Sequence, residues 1–284
     1  KRRKMQNSKM AQLKKIFNYE LDSFCKHDYK LVKTYNNKPK GESNFVLNGK
    51  YARKYYKCLI CDHHIGDHKY NLKSLYSGDY ISSTYGNFEG LKLRFEKINK
   101  LSPKKSDNFH RCSRIHSFFK NINRNFKTLD IGAGLGIFPK KLKNKKFKNI
   151  YLIETDNVNI KFLKEYLNFK NTFKSQSKLG ELKFDLITLN KVLEHIENPA
   201  IFLKKYLKNL KKNGFIYIEV PNVDAKHDKL GYNREEFFIE HHHVFSKTSL
   251  IMMLSKLNLK ILKLEKIKEP SSKYTLFCFA QKLT

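Results

Sequence analysis

The 284-residue sequence predicts an α/β fold whose main sheet has seven strands and is mostly parallel. Strand-like and helix-like segments alternate from residue 126 onward, which is typical of a parallel sheet covered by helices on both faces. The last two strand-like segments are joined only by EPSSK, which leaves no room for a crossover helix. We therefore expect these two strands to form an antiparallel hairpin at the C-terminal end.

Apolar and β-branched runs mark the individual elements of this domain, which we assign to residues 126–284. The predicted strands are FKTLDI, NIYLIE, a weak segment at 172–175, FDLITL, GFIYIEV, LKILKLEKI and YTLFCFAQK. Helices are predicted from the glycine-rich turn to about residue 142 and at about 160–167, 200–210 and 246–257.

The first 125 residues divide into three parts. Residues 1–24 are basic and carry apolar residues at helical spacing, which predicts a surface helix. Residues 25–76 contain short strand-like pieces with several Cys and His, which predicts a small separate module similar to a zinc ribbon. Residues 77–125 are predicted to be a linker followed by helical segments. Tyr76, Tyr80 and Tyr85, at the junction with the module, predict either a lid over a ligand or an interdomain packing loop.

The net charge is strongly positive, because 58 Lys and Arg against 26 Asp and Glu give +32. Such a field attracts polyanions. However, the basic residues are mostly Lys and are scattered along the chain, whereas nucleic-acid readers concentrate Arg at planar, bidentate contacts. A solvated surface is therefore favoured over a dedicated nucleic-acid site, which stays open as an alternative.

Composition also bears on the compartment. No apolar run approaches the roughly 20 residues of a membrane helix, and the start of the sequence lacks the apolar core of a signal peptide. The five Cys are an odd number and fit a reducing compartment better than a disulfide scaffold. We expect a soluble, cytoplasmic protein with no membrane partner; the oligomeric state is not indicated.

The glycine-rich turn DIGAGLG carries the clearest chemical signal. Asp130 ends the first strand, and Gly132, Gly134 and Gly136 follow at alternate positions, which lets a ligand approach the main chain near a helix N-terminus. A dinucleotide-binding GxGxxG pattern would need glycine at 137, where the chain has Ile137. A carboxylate repels a pyrophosphate but attracts an ammonium or sulfonium group, so the pattern favours S-adenosylmethionine over a nicotinamide cofactor.

A second acidic residue stands at the end of the next strand. Glu154 lies 22 residues after Gly132, where a carboxylate can accept both ribose hydroxyls of a nucleoside cofactor. The alternative is an exposed loop acid with no ligand.

DIGAGLG and the run FDLITLNKVLEHIENPAIFLKKYLKNLKKNGFIYIEVPN resemble the class I S-adenosylmethionine-dependent methyltransferases over about residues 110–284. The resemblance implies a Rossmann-like sheet that ends in a reversed hairpin. It also implies that the glycine loop and Asp130 line the methionine part of the donor, that Glu154 binds the ribose, and that Asn190 lies beneath the sulfonium. The cofactor residues are thus expected to be Asp130, Gly132, Gly134, Gly136, Glu154 and Asn190.

Two segments are candidates for the chemistry on the acceptor. In some quinone O-methyltransferases of this family an acid stands where Lys191 is and helps Glu194 and His195 hold a divalent metal, which lysine cannot do. A catalytic metal is therefore not favoured here, although Glu194 and His195 can still face the active cleft. The pattern EHxxxFS, starting at Glu240, resembles one in sugar-modifying methyltransferases that carry an N-terminal zinc module, where the matching His241 is placed as a base. We name His241 and His195 as catalytic candidates; the alternative is that these residues only fix the loop and the neighbouring helices.

The N-terminal module contains a candidate zinc site. Cys58 and Cys61 form a CxxC pair, and Cys25 and His27 lie upstream, which gives four ligands of the kind that hold structural zinc. A histidine of the segment 63–68 could replace Cys25 or His27, and two ordinary reduced cysteines are the alternative to any zinc site.

Taken together, these patterns predict an S-adenosylmethionine-dependent methyltransferase that acts on a small molecule, with a sugar or related metabolite favoured as acceptor. The alternatives are an RNA or protein methyltransferase that uses the basic surface, and a non-catalytic adaptor that binds the donor.

Overall fold

A computed structural model of the chain describes residues 28–42, 50–70, 88–119, 122 and 125–283. The predicted basic helix at 1–24, the linker tyrosines, Cys25 and His27 lie outside the described residues. The strands are β1 (Tyr29–Tyr35), β2 (Arg53–Cys58), β3 (His64–Asp67), β4 (Lys127–Ile131), β5 (Asn149–Ile153), β6 (Thr172–Phe173), β7 (Phe184–Asn190), β8 (Leu210–Pro221), β9 (His243–Val244), β10 (Leu259–Lys268) and β11 (Tyr274–Lys282). The helices are α1 (Phe88–Asn99), α2 (Asp107–Phe118), α3 (Ile137–Lys143), α4 (Asn157–Glu165), α5 (Pro199–Leu207) and α6 (Lys247–Lys256).

The large sheet has seven strands in the order β10-β11-β8-β7-β4-β5-β6. Neighbouring strands from β8 to β6 pair in parallel. Strand β11 runs antiparallel to both β8 and β10. The predicted sheet and its terminal hairpin are therefore confirmed, and the carboxyl ends of β4, β5 and β7 meet at one edge.

Helices cover both faces of this sheet, as a mostly parallel sheet requires. Helices α1 to α4 contribute to one hydrophobic cluster, which contains Cys112, and α5 and α6 contribute to the other, which contains Cys278. Both cysteines are buried, as expected for core residues. In the described ranges the longest helices have 12 residues, too few to cross a bilayer.

Two helix boundaries differ from the prediction. Helix α4 begins at residue 157 because the Asp156 side chain accepts a hydrogen bond from the Asn159 main-chain nitrogen, which caps the helix three residues earlier than expected. Helix α5 ends at residue 207 because Leu210 already pairs with Phe184 as the first residue of β8.

A buried ion pair joins α2 to β8. Arg111 and Arg114 reach the carboxylate of Glu219 at 2.6 Å each, and this carboxylate is fully buried. Burial alone would raise the pKa of Glu219, but the two guanidinium groups outweigh it and hold the pKa at about 2.

The small N-terminal sheet has four antiparallel strands in the order β1-β2-β3-β9. Its fourth strand, His243–Val244, comes from the loop that carries the three consecutive histidines. Its core tyrosines pack on residues of the same loop, including Phe237 and Ile239. The sheet is therefore not self-contained, which fits the general instability of small isolated sheets. The division of the chain into domains stays a prediction.

Candidate active site

The glycine loop between β4 and α3 has three glycines with positive φ: 71° at Gly132, 51° at Gly134 and 73° at Gly136. A Cβ at Gly132 would lie 2.7 Å from Val192, and one at Gly136 would lie 2.6 Å from two leucines at the end of α4. A Cβ at Gly134 would meet no atom within 4 Å. The outer two glycines thus pack the loop against its neighbours, and Gly134 borders open space where a ligand can reach the main chain.

Asp130 is buried at the carboxyl end of β4. Its Oδ1 accepts hydrogen bonds from Thr188 Oγ1 at 2.7 Å and from Asn190 Nδ2 at 3.1 Å. Burial raises the pKa of Asp130 to about 7, although the hydroxyl of Thr188, the charge of Arg111 and the amide of Asn190 oppose this shift. The amide oxygen of Asn190 is buried and has no hydrogen-bond partner among the described residues. A carboxyl group beside an unsatisfied acceptor oxygen fits an ammonium group.

Glu154 follows β5 directly and is only 7% exposed, so the alternative of an exposed loop acid is wrong. Its Oε2 accepts a hydrogen bond from the Gly134 nitrogen at 2.7 Å, and its Oε1 accepts from the nitrogens of Thr155 at 2.8 Å and Asp156 at 3.0 Å. A carboxylate has about four acceptor positions, so about one is left for a ribose hydroxyl. Glu154 could accept hydrogen bonds from both ribose hydroxyls only if its hydrogen bond from the Gly134 nitrogen were broken.

These groups fit S-adenosylmethionine. The open side of Gly134, the Asp130 and Asn190 oxygens and the Glu154 carboxylate all lie at the ends of three neighbouring strands, β5, β4 and β7. In α/β sheets this edge is where ligands bind. The sequence singled out all of these residues but missed Thr188, which lies opposite Asp130 in the parallel pairing.

His195 and His241 meet beside this edge, with ring centroids 4.8 Å apart. Each Nδ1 lies 2.9 Å from a main-chain carbonyl oxygen, that of Glu240 for His195 and that of Glu236 for His241. Because a carbonyl can only accept, each Nδ1 carries the hydrogen, and in the neutral ring the lone pair is on Nε2. The fold therefore brings together the two histidines that the sequence indicated as catalytic candidates. In each neutral ring, Nε2 is the nitrogen that can accept a proton.

Glu194 completes this cluster. It is fully buried, and no other described residue donates a hydrogen bond to either carboxylate oxygen. One ligand atom each from Glu194, His195 and His241 lie within 4.8 Å of one another. Burial raises the pKa of Glu194, and the charges of His195 and Lys191 oppose the shift. Burial, with the nearby charge of His195, holds the pKa of His241 well below its usual value, so this ring is neutral at physiological pH.

The cluster also fits a divalent cation. One carboxylate and two imidazole nitrogens are donors that such cations accept, and carbonyls on the opposite ring nitrogens orient the rings as in known metal sites. Lys191 is no ligand, as the sequence indicated, and its Nζ donates to Thr275 Oγ1 at 2.6 Å. The third donor is His241, which sequence spacing could not link to Glu194. A metal here stays a proposal.

The CxxC turn has a geometry suited to a thiolate ligand. Cys58 and Cys61 are both buried, and Cys58 Sγ accepts hydrogen bonds from the main-chain nitrogens of Ile60 at 3.4 Å and Cys61 at 3.3 Å. Amides directed at a sulfur stabilise its negative charge. Cys25 and His27 lie outside the described residues, so the complete ligand set stays a prediction.

Two of the three nearby histidines, His63 and His64, are bonded to other groups. Both ring nitrogens of His68 are buried with no hydrogen-bond partner among the described residues, so His68 stays an alternative ligand. The ring nitrogens of His63 lie 3.1 Å from Ser249 Oγ and 3.0 Å from His243 Nδ1. Those of His64 lie 2.9 Å from the Asp62 carbonyl oxygen and 3.2 Å from the Tyr232 hydroxyl. In this arrangement neither histidine can replace Cys25 or His27 as a zinc ligand.

The fold, the glycine loop and its acidic partners define a class, the S-adenosylmethionine-dependent methyltransferases. The sequence model of a family described as "Methyltransferase domain" matches residues 104–264, more than half of the chain, so the chain belongs to this family.

Curated relatives are similar over the same region. A ubiquinone biosynthesis O-methyltransferase of Pelagibacter ubique is 28% identical over 147 residues, which are 49% of this chain and 56% of that protein. A ubiquinone biosynthesis O-methyltransferase of Rickettsia bellii is 24% identical over 205 residues, 67% of this chain and 82% of that protein. The chain thus spans little more than half the length of the Pelagibacter relative.

Solved structures share the fold. The magnesium protoporphyrin IX methyltransferase of Synechocystis, with bound SAH, superposes with a TM-score of 0.55 at 12% identity, covering 75% of this chain and all of that one. The 1,6-didemethyltoxoflavin-N1-methyltransferase of Burkholderia thailandensis gives 0.52 at 14% identity, covering 80% of this chain and 98% of that one.

Proposed function

We propose that this chain transfers the methyl group of S-adenosylmethionine to a hydroxyl oxygen of a small molecule. One observation carries the proposal: Asn190, next to the expected donor site, ends the same strand that leads into Glu194 and His195. Groups that suit a sulfonium donor and groups that suit proton removal therefore lie side by side. Methyl transfer is an in-line displacement, so this proximity is what the reaction requires.

The donor is held by the residues at the ends of β4, β5 and β7. Asp130 and the Asn190 amide oxygen bind the ammonium group of the methionine part, Gly134 lets the donor lie against the main chain, and Glu154 accepts a ribose hydroxyl. Both carboxyl groups, when ionised, attract the positive charges of the donor.

The acceptor is activated by Glu194, His195 and His241. A hydroxyl must lose its proton as it attacks the methyl group, and a neutral imidazole Nε2 can accept that proton. With a divalent cation bound by these three residues, the same nitrogens would be ligands and not bases. The cation would then lower the pKa of the acceptor hydroxyl, which would lose its proton to solvent, and would stabilise the resulting anion. The curated relatives are O-methyltransferases by name, which supports oxygen over nitrogen or carbon.

The class of acceptor separates two versions of this proposal. The relatives support a hydroxylated ring compound, whereas the sugar acceptor predicted from EHxxxFS has no support from them. We therefore place the hydroxylated ring first and retain the sugar as a second class.

The test is methyl transfer with labelled donor. The purified protein is incubated with S-adenosylmethionine and, separately, with ortho-dihydroxylated aromatic acids, nucleotide sugars, total RNA and a protein extract. We expect label in the aromatic ethers, and loss of this label in Glu194→Gln with donor affinity retained. Label in RNA that falls steeply with added salt would favour the RNA methyltransferase, and donor binding without any transfer would favour the adaptor.

Cation binding at the same cluster has a separate readout. Mn²⁺ prefers oxygen and nitrogen donors over thiolates, so its calorimetric titration reports on Glu194, His195 and His241 and not on the cysteines. We expect binding by the wild type that Glu194→Gln and His241→Gln both abolish. Binding that survives both substitutions would place the cation elsewhere.

We also propose a structural zinc ion held by Cys58 and Cys61, with Cys25 and His27 as the other ligands. The amide hydrogen bonds to Cys58 Sγ support the thiolate half of the site. Elemental analysis should find about one zinc per chain, lost in the double variant Cys58→Ser with Cys61→Ser. A metal-free wild type that stays folded would contradict the proposal.

A further inference from the structure

His241 lies on a long connection between β8 and α6. This stretch contains short 3₁₀ turns, at Val223–His227, Gly231–Asn233 and Glu235–Phe237, and the two-residue strand β9. Within the loop, the His241 ring is oriented by the Glu236 carbonyl oxygen, and the His241 nitrogen donates to the Phe238 carbonyl oxygen at 3.0 Å. A loop of this length needs further contacts to hold it in place against the rest of the protein.

Strands β2 and β3 supply those contacts. The Tyr55 hydroxyl donates a hydrogen bond to the carbonyl oxygen of His241 at 2.8 Å, and the Gly66 nitrogen donates to that of His242 at 2.9 Å. Ile65 then pairs with His243 in the β3–β9 ladder. Tyr55 is fully buried, so water does not compete for its hydrogen bond.

A chain of histidines adds a second connection. His243 Nε2 lies 3.0 Å from the carbonyl oxygen of Glu197 and therefore carries the hydrogen, so its Nδ1 accepts from His63 Nε2 at 3.0 Å. These two hydrogen bonds link His63, which directly precedes β3, through His243 of the loop to the main chain at Glu197, two residues after His195.

The sheet and the loop are closely packed at Gly66. A Cβ added at Gly66 would lie 3.0 Å from the carbonyl oxygen of His241 and 3.3 Å from the Tyr55 ring. An added methyl group would have to push the loop or the tyrosine aside by a few tenths of an ångström.

We infer that the small sheet is a positioning element for the acceptor site: Tyr55, Gly66 and His63 set the place of the His241 ring relative to Glu194 and His195. The inference rests on the proposed function. Tyr55 and His63 act through their hydrogen bonds to the loop, so they are positioning residues and not catalytic ones.

The experiment compares Tyr55→Phe and Gly66→Ala with Tyr56→Phe. Tyr56 is the matched control, because it is the next residue of β2 and its side chain lies on the other face of the sheet. Three quantities are measured: hydrogen–deuterium exchange of the peptide 239–246, donor affinity by calorimetry, and kcat and KM for the best acceptor of the transfer test.

We expect faster exchange of 239–246 in Tyr55→Phe and Gly66→Ala, and a kcat at least about tenfold lower, because small misplacements of a catalytic group are costly. Donor affinity, KM for the donor and exchange of the glycine loop should stay within about twofold. Tyr56→Phe should match the wild type in all three quantities.

Unchanged exchange in both variants would overturn the inference, and so would faster exchange with an unchanged kcat. An equal effect of Tyr56→Phe would show general loosening of the sheet instead. Should Tyr55→Phe fail to fold, Gly66→Ala carries the same test. If donor binds but no acceptor is methylated, the proposed function fails, whereas the exchange data still decide whether the sheet holds the loop.

Discussion

Alanine substitutions at Gly134 and Gly136 should separate donor binding from stability. Both glycines have positive φ, and this left-handed conformation costs a non-glycine residue about 1–2 kcal/mol. At Gly136 the new methyl group also meets two leucine side chains at 2.6 Å, and overpacking adds about 1–3 kcal/mol. Gly136→Ala should therefore lower the free energy of unfolding by about 2–5 kcal/mol, and Gly134→Ala by about 1–2 kcal/mol.

Donor affinity should show the opposite order. The methyl group of Gly134→Ala enters the open space beside the main chain, and we expect binding at least about tenfold weaker, equivalent to about 1.4 kcal/mol. The matched control is Gly231→Ala, which has the same φ of 51° and lies far from the donor residues in sequence, with only an ordinary contact at 3.6 Å.

Urea denaturation gives the stabilities, and calorimetry well below the melting transition gives the donor affinities. Our reading of the loop is refuted if Gly136→Ala is no less stable than Gly134→Ala, or if Gly134→Ala binds the donor as Gly231→Ala does.

Three further predictions concern buried charges. The pKa of Asp130 is raised from 3.8 to about 7, so its carboxyl binds a proton below that pH. Donor affinity should therefore fall by up to about tenfold per pH unit below 7. Calorimetry of Asp130→Asn should show weaker donor binding that does not depend on pH in this range. Between about pH 4 and 7 the Asp130 carboxyl is ionised in the unfolded chain but still protonated in the folded protein, so the free energy of unfolding should decrease as the pH rises. Urea denaturation should find a smaller decrease in Asp130→Asn. Arg111→Met removes one of the two guanidinium groups that pair with the buried Glu219 carboxylate, and it should lower the free energy of unfolding by about 3–5 kcal/mol. The control is Lys183→Met, which breaks the exposed ion pair with Glu181 and should change the free energy of unfolding by less than about 0.5 kcal/mol. Glu194→Gln removes a buried charge, so its melting temperature should equal or exceed that of the wild type while transfer falls at least about 100-fold; a lower melting temperature would mean that Glu194 is structural.

The main sheet and the donor residues were predictable because each has a local signal. A strand buried on both faces, such as β7, is rich in apolar and β-branched residues at successive positions, and a glycine at every second position after Asp130 marks a turn with left-handed conformations. Burial of Glu154 follows less directly, because it depends on main-chain nitrogens that fold back onto its side chain.

The acceptor site was only partly predictable. His195 and His241 were each visible after a strand, but their contact depends on the path of a long loop. Strand β3 was missed because HIGD shows no alternation of apolar and polar residues, and β9 has only two residues. Strand β9 forms because β3, already paired with β2, offers it a free edge, and this long-range effect has no signal in either segment.

The pairing of β3 with β9 also has a consequence for the order of folding. Tyr55 and the His241 carbonyl it binds are separated by 186 positions, so β1 to β3 leave the ribosome long before their last partner is made. Contacts across so many residues close late and slowly. The edge of β3 therefore stays uncovered until the loop with His241, His242 and His243 has been made, and this loop should be among the final segments to reach its native position during synthesis.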